Sequence, residues 1–344
     1  MSRVSAALGL PMTELSEPTG DSRDDRVLRW LLEPDQPAVR YRALVDLLDR
    51  PESDPEARSA RARIARVGWA ADQLKAQGPK GFWESREPKN LKEWIDFLYY
   101  PKYLGTNWRA LVLSDLGPDP STPGIQKLAN LLFEYKLRLS SPFNFFHEEM
   151  CASANTARML TRFGHADDRR VQKLFEWLIE DQRDDGGWNC STGTPGTLDV
   201  WEPLAAFAAL PKARRSPKME SSIARGAEFY LKRKLTEEGK PYAPWLRLHY
   251  PNHYYYDVLI GLDLLTGFGY GSDRRLRPAI ELLEKKRRPD GTWLNERSHP
   301  DLGPGTGHRP DPKKVKPLVI EEPGNPSKWI TLKALRVLRR VEDS

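Results

Sequence analysis

A seven-residue segment ending in tryptophan occurs three times in the chain at a fixed interval. "QGPKGFW" ends at Trp83, "QRDDGGW" at Trp188 and "RRPDGTW" at Trp293, so 105 residues separate successive tryptophans. An amphipathic helical pattern precedes each segment, and a Pro- or Gly-rich loop and a second helical pattern follow it. An interval this long indicates two helix pairs, of about 50 residues each, per repeat.

The second helix of each pair is more apolar than the first. Segments such as "LDVWEPLAAFAAL" and "SKWITLKALRVLRRV" carry apolar residues on most faces, whereas "RRVQKLFEWLIEDQ" has one apolar stripe. This difference predicts buried inner helices surrounded by amphipathic outer ones. No segment is rich in strand-forming residues. We therefore expect an all-α fold, an α/α toroid of about six helix pairs, closed or nearly closed.

The first residue of each repeated segment has a structural interpretation. A glutamine at the end of an outer helix can donate to the backbone of the turn and pack on the tryptophan ring. Gln77 and Gln182 occupy this position, and Arg287 replaces the third glutamine. The turn then contains Asp184 and Asp185, so we expect these two carboxylates to be structural and not catalytic.

Composition and length indicate one folded domain. Hydrophobic residues make up 39% of the 344 residues, which is enough for a core. We expect a flexible tail over 1–24, a single domain over 25–344, and a long Pro- and Gly-rich loop over 296–326 that could act as a lid. Two cysteines imply no disulfide framework, and the short apolar run at the start is no signal or membrane segment. These features favour a cytoplasmic protein.

The charge distribution favours some partners over others. The 54 basic and 48 acidic residues are spread along the chain and give a net charge of +6. This mixture predicts a solvated surface and no nucleic-acid groove. It leaves open a basic patch that attracts a diphosphate or makes peripheral contact with an anionic membrane.

The segment "LIEDQRDDGGW" closely resembles the repeat of squalene and oxidosqualene cyclases, which occurs more loosely in protein prenyltransferase β subunits. The order of outer helix, turn and inner helix fits this family over at least residues 59–341. The resemblance implies a toroid with a central pocket for an isoprenoid or another apolar substrate. It implies either a cyclase (an isomerase) or a transferase.

A toroid of this kind predicts a pocket at the starts of the inner helices, where free N–H groups and the positive end of the helix dipole favour acids and anions. Aromatic residues are frequent at these starts, and aromatic faces suit an apolar ligand or a cationic intermediate. The predicted substrate-binding residues are Asn107, Trp108, Trp201, Tyr254, Tyr255 and Trp329.

Protonation-initiated cyclisation would need a carboxylic acid in the pocket. The Asp-x-Asp-Asp motif of the cyclases is absent from the sequence, as is the magnesium-binding Asp-Asp-x-x-Asp motif, and the chain is about half a triterpene cyclase in length. A different carboxyl group, supported by a histidine, would have to donate the proton. The candidate acids are Asp199, Glu202, Glu148 and Glu149, and the candidate proton partners or polar anchors are His147, His253 and Asp257.

Two alternatives remain at the level of sequence. The resemblance to prenyltransferase β subunits places Asp199 and His253 at positions of a zinc site, although Trp201 stands where those subunits have cysteine. Because zinc needs about three protein ligands, Cys190 or His249 would have to complete the site, and a partner subunit is not excluded. The other alternative is a non-catalytic barrel that binds a lipid or a protein.

Overall fold

The computed structural model describes residues 22–84, 86, 89, 105–136, 149–191, 193–240, 242–253, 255–297 and 320–344. These residues form helices and loops, with one isolated β-bridge between Leu294 and Pro326 and no strand within the described ranges. The predicted all-α class is therefore confirmed. None of the helices in these ranges combines the length and apolar character needed to cross a membrane.

The helices are numbered here in chain order. They are α1 (Arg23–Leu31), α2 (Pro37–Arg42), α3 (Pro55–Arg63), α4 (Gly68–Lys75), α5 (Thr106–Leu116), α6 (Pro123–Leu131), α7 (Met150–Leu160), α8 (Arg169–Glu180), α9 (Glu202–Ala208), α10 (Pro217–Lys232), α11 (Val258–Gly267), α12 (Arg277–Lys285) and α13 (Lys328–Glu342). Short π-helical turns extend α2 over Ala43–Leu47, α6 over Leu132–Lys136 and α7 over Thr161–His165.

The most buried helices contact one another in sequence. Helix α5 packs on α7, α7 on α9, α9 on α11, α11 on α13, and α13 returns to α2. Helix α5 buries nine of its 11 residues, whereas the amphipathic α8 buries four of 12. This contrast agrees with the two helix classes that the sequence predicted.

The repeated turn forms the hydrogen bonds expected from its glutamine. Gln182 Nε2 donates to the carbonyl oxygens of Gly186, at 2.7 Å, and of Ser222 on α10, at 2.9 Å. The ring of Trp188 is fully buried, and its Nε1 donates to the carbonyl of Leu178. The turn thus connects α8 both to its own loop and to the next outer helix.

Of the two acidic residues in this turn, Asp185 has the structural role that the sequence predicted. Its carboxylate accepts hydrogen bonds from the backbone N–H groups of Gly187, at 3.0 Å, and Gly196, at 3.1 Å. The guanidinium of Arg233 lies 3.6 Å away. Asp184 is exposed. Asp185 is therefore a structural residue of the turn.

The other two repeats reproduce this arrangement. Gln77 Nε2 donates to the carbonyls of Gly81 and of Gly124 on α6, both at 3.1 Å. Arg287 Nε donates to the carbonyl of Gly291 at 3.3 Å, and its Nη2 binds the carboxylate of Asp24 on α1. Trp83 and Trp293 donate to helix carbonyls as Trp188 does.

Two predicted boundaries shift. Helix α1 begins at Arg23, because Ser22 and Asp25 form a capping box, so the last residues of the predicted tail 1–24 belong to the fold. Of the predicted lid, 298–319 lie outside the described residues. The carboxylate of Glu321, near the end of that segment, accepts the hydroxyl of Ser327 and, at 2.6 Å, the N–H of Lys328 at the start of α13. This end of the loop is therefore fixed to the helix.

Candidate functional site

Helices α2, α5, α7, α9, α11 and α13, with the residues that flank them, line a cavity of about 450 Å³. Ten charged side chains contribute to its wall. They are Arg42, Arg158, Arg162, Arg215, Lys333, Arg336 and Arg340, together with Asp46, Asp115 and Asp263. Seven cationic groups against three carboxylates leave an excess of four positive charges. This wall differs from the predicted one, in which aromatic residues and a few acids dominate.

The position of the cavity also differs from the prediction. Arg42 ends α2, Asp115 is the penultimate residue of α5, and Arg158 lies in the last turn of α7. Trp201 and Trp329, at the starts of α9 and α13, line the same cavity. Its charged part is therefore built largely from later helical turns, where the helix dipole favours cationic side chains.

Part of the charge is neutralised within the wall. Arg336 binds Asp46 and Asp263, each at 2.6 Å, and Arg340 binds Asp263 at 3.1 Å. Burial would raise the pKa of Asp263, but Arg336 and Arg340 outweigh this effect and lower it to about 2. Asp115, paired with Arg162 at 2.5 Å, also has a lowered pKa, because nearby arginines outweigh its burial. These carboxylates are ionised and are poor proton donors.

Two cations in the wall have no carboxylate partner among the described residues. Arg158 is only 3% exposed, its guanidinium lies 5.2 Å from the ring centre of Trp201, and its Nε has no hydrogen-bond partner there. Lys333 Nζ makes one hydrogen bond, of 3.3 Å, to Asn252 Oδ1. Burial lowers the pKa of Lys333, an effect that Asp263 and Asp115 oppose. Neither cation forms an ion pair of its own and the wall carries an excess of positive charge, so this part of the cavity favours an anion.

Apart from Asn252, the remainder of the wall is apolar, and it includes two predicted residues. Leu210, Ile260, Leu264 and Leu332 line the cavity with Trp201, Trp329 and several alanines. Trp329 stacks on Tyr250 with ring centres 5.1 Å apart, and its Nε1 has no hydrogen-bond partner in the described ranges. The cavity therefore combines a cationic region with an aromatic and aliphatic one.

Three predicted residues are buried outside this wall. Asn107 and Trp108 are buried on α5, and the ring of His253 meets that of Trp108 edge-on, with centres 5.4 Å apart. Burial lowers the pKa of His253 to about 3, so its imidazole is uncharged at neutral pH. His253 is therefore buried against Trp108, with an uncharged side chain.

Asp257 begins α11 as its N-cap. Its Oδ1 accepts the N–H of Ile260 at 3.0 Å, and its Oδ2 accepts the N–H of His249 at 3.1 Å and the amide of Asn252 at 3.2 Å. The carboxylate is 1% exposed and lies 2.9 Å from His249 Nδ1. These bonds hold the preceding loop to the helix and give Asp257 a positioning role.

The two acids nearest α9 occupy different surroundings. Asp199 is exposed, and its Oδ1 accepts Trp245 Nε1 at 2.6 Å. Glu202 is fully buried, and neither oxygen of its carboxyl group has a hydrogen-bond partner among the described residues. Burial, and to a lesser extent the neighbouring Cys190, raise the pKa of Glu202 well above its ordinary value. Neither residue lines the cavity.

The predicted zinc site has no structural support in the described ranges. Asp199 binds Trp245, whereas His253 packs on Trp108. No group of three His, Cys, Asp or Glu side chains in those ranges is arranged to hold a metal ion. Cys190 contacts Cys151, and His249 contacts Asp257.

The remaining predicted residues are placed as follows. Glu149 is the N-cap residue of α7, without a side-chain capping bond, and Tyr255 is partly buried against the core. His147, Glu148 and Tyr254 lie outside the described residues. Of the predicted residues that the structure describes, only Trp201 and Trp329 line the cavity.

The sequence interpretation missed the cations that characterise the cavity. Arg158 on α7 and Arg162 on its π-helical extension are four residues apart in an otherwise uncharged segment, and Lys333, Arg336 and Arg340 repeat at intervals of three and four on α13. Cations at helical spacing on a mostly apolar helix were the available signal. Comparison with protein-family models gave no match, and neither did comparison with curated proteins.

Proposed function

We propose that this protein is an α/α toroid whose central cavity binds an amphipathic phosphorylated ligand of the isoprenyl diphosphate class. The observation that carries the proposal is the cavity wall, where seven cationic side chains face three carboxylates that are already paired. The order of helix contacts, with α13 returning to α2, supports the toroid.

The cationic region would bind the anionic group of the ligand. Arg158 and Lys333 have no carboxylate to displace, so an incoming phosphate gains two charge-assisted contacts without breaking an ion pair. Arg336 and Arg340, which share Asp263, extend the positive charge beside them. A diphosphate suits this arrangement better than a neutral ligand, because it neutralises buried positive charge.

The apolar region would bind the hydrocarbon part. Trp201, Trp329 and the neighbouring leucine and isoleucine side chains offer contact area without polar groups that need partners, apart from the indole N–H of Trp329. The cavity volume of about 450 Å³ lies within the range of small-molecule sites. An isoprenyl chain is chemically matched to this surface.

Calorimetric titration with three probes separates the two regions. We expect geranyl diphosphate to bind more tightly than inorganic pyrophosphate, and geraniol to bind weakly. Arg158→Met and Lys333→Met should each weaken both anionic probes by about tenfold or more, since each removes a charge-assisted contact. Leu264→Ala should weaken only geranyl diphosphate. Equal affinity for geraniol and geranyl diphosphate would overturn the proposal.

Two controls accompany these variants. Arg277→Gln removes an exposed cation on α12 that pairs with Glu281 and does not line the cavity, and it should leave all affinities unchanged. Arg158→Lys keeps the charge and should retain part of the binding, which separates the charge from the packing of Arg158 on Trp201. Release of pyrophosphate during incubation with geranyl diphosphate would identify a transferase or cyclase. Tight binding of geranyl diphosphate without release of pyrophosphate would identify a non-catalytic barrel.

A further inference from the structure

The two cysteines of the chain meet in space although 39 residues separate them. Cys151 lies in the first turn of α7, and Cys190 lies in the loop after the repeated turn of α8. The sulfur of Cys190 accepts the backbone N–H of Cys151 at 3.5 Å. Both residues are partly buried and neither is in a disulfide.

The surroundings of the two sulfurs are unequal. Cys190 receives the Cys151 thiol and N–H groups of the first turn of α7, which stabilise a thiolate and lower the pKa of Cys190. The neighbouring Cys190 and the burial of the Cys151 thiol both raise the pKa of that thiol well above its ordinary value. Glu149 and Glu202 lie near enough to disfavour a thiolate at Cys190, but their effect on its pKa is smaller than that of Cys151.

We propose that Cys190 and Cys151 form a reversible oxidation site, in which Cys190 reacts first with a hydroperoxide and Cys151 then closes a disulfide. The geometry supports this because the sulfur of Cys190 lies 3.5 Å from the backbone nitrogen of Cys151 and accepts its N–H group at the start of α7. This site is separate from the cavity and does not depend on the proposed ligand.

The chemistry balances with hydrogen peroxide as the only co-reactant. The Cys190 thiolate attacks one peroxide oxygen, the O–O bond breaks, and the hydroxide that leaves takes up a proton to become water. Cys151 then attacks the sulfenic sulfur, the S–S bond forms, the S–O bond breaks, and the Cys151 proton leaves with the hydroxide as a second water. Two thiols are oxidised, and one peroxide is reduced to two waters.

The reduced full-length protein tests the proposal directly. At limiting iodoacetamide and neutral pH, peptide mass spectrometry should show Cys190 alkylated about ten times faster than Cys151 or more, as the thiolate is the reactive form. One equivalent of hydrogen peroxide should then give a Cys151–Cys190 cross-linked peptide that dithiothreitol reverses. Faster alkylation of Cys151, or only intermolecular disulfides, would overturn the assignment.

Two variants check the order of the steps. In Cys151→Ser, peroxide should leave a sulfenic acid on Cys190 that a dimedone-type reagent traps, because the resolving thiol is gone. In Cys190→Ser, Cys151 should remain largely unreacted. Trapping of sulfenic acid at Cys151 in this second variant, to the same extent as at Cys190 in the first, would show that the pair has no reactive member.

Discussion

Arg287 Nη2 donates to Asp24 Oδ1 at 2.5 Å across 263 residues of sequence. The pair occupies the place where Gln77 and Gln182 each reach the carbonyl of a residue on the next outer helix. The third repeat thus uses arginine because its neighbour offers a carboxylate, and the contact joins the last repeat to α1.

This relationship predicts coupling between the two ends of the fold. Arg287→Gln restores the sequence of the other repeats but loses the ion pair and the stacking on Trp293. We expect a loss of about 1 kcal/mol in the free energy of unfolding, because the pair is only partly buried. Chemical denaturation of Arg287→Gln, Asp24→Asn and the double variant measures the coupling energy between the two side chains. Strictly additive losses in the free energy of unfolding would show that the two side chains act independently.

The repeated turn predicts a large difference between two glycines. Gly186 has φ of 89°, and an added Cβ would lie 2.5 Å from the carbonyl oxygen of Arg225. Gly193 has φ of 72° but open space around it. Gly193→Ala should cost about 1 kcal/mol, from backbone strain alone, and Gly186→Ala about 2 to 4 kcal/mol, since crowding is added. Thermal melts compare the two; similar shifts would mean that the turn relaxes around the methyl group.

The role of Asp257 in holding the preceding loop to α11 can be tested by substitution. Asp257→Ala removes the cap of α11 and leaves the N–H of His249 and the amide of Asn252 without their acceptor. We expect a loss of about 3 kcal/mol in the free energy of unfolding. Asp168→Ala, at the more exposed cap of α8, is the matched control and should cost about 1 kcal/mol. Equal losses would argue against a special contribution from burial.

Glu321 predicts a pH dependence near neutrality. Burial raises its pKa to about 7, and hydrogen bonds from Ser327 and from the backbone N–H groups of Lys328 and Trp329 only partly oppose this. Because the folded pKa lies above the ordinary value, the folded state binds the proton more tightly. The free energy of unfolding therefore falls as the pH rises from about 4.5 to about 7, by roughly 2 to 3 kcal/mol from this group.

The comparison for Glu321 is Glu321→Gln, which cannot titrate. Denaturation at several pH values should give a flatter profile for the variant over this window. Glu322→Gln, at the exposed neighbouring position, should follow the unmodified protein. A profile for Glu321→Gln that parallels the unmodified protein would assign the dependence to other groups.

The features that the sequence predicted correctly depend on short segments and on the repeat. The hydrogen bonds of Gln77 and Gln182 and the structural role of Asp185 follow from one short segment, because their partners lie within a few residues or on the next repeat. The all-α class follows from the same pattern.

The cavity could not be predicted in this way. Its character depends on which helix ends converge, and Arg158, Asp263 and Lys333 come from three helices far apart in sequence. Taken singly in the sequence, each of these lysines and arginines is most simply interpreted as a solvent-exposed surface residue. Aromatic residues at the helix starts were easier to recognise, yet among those that the structure describes only Trp201 and Trp329 reach the wall.

The packing of α13 on α2 has a consequence for biosynthesis. Asp46 meets Arg336, which follows it by 290 residues, and Arg339 donates to the carbonyl of Leu47. At ordinary rates of translation, a ribosome needs roughly 15 to 60 s to make the residues between them. For that time α2 has no α13 to pack on, so this contact can form only after α13 has been synthesised.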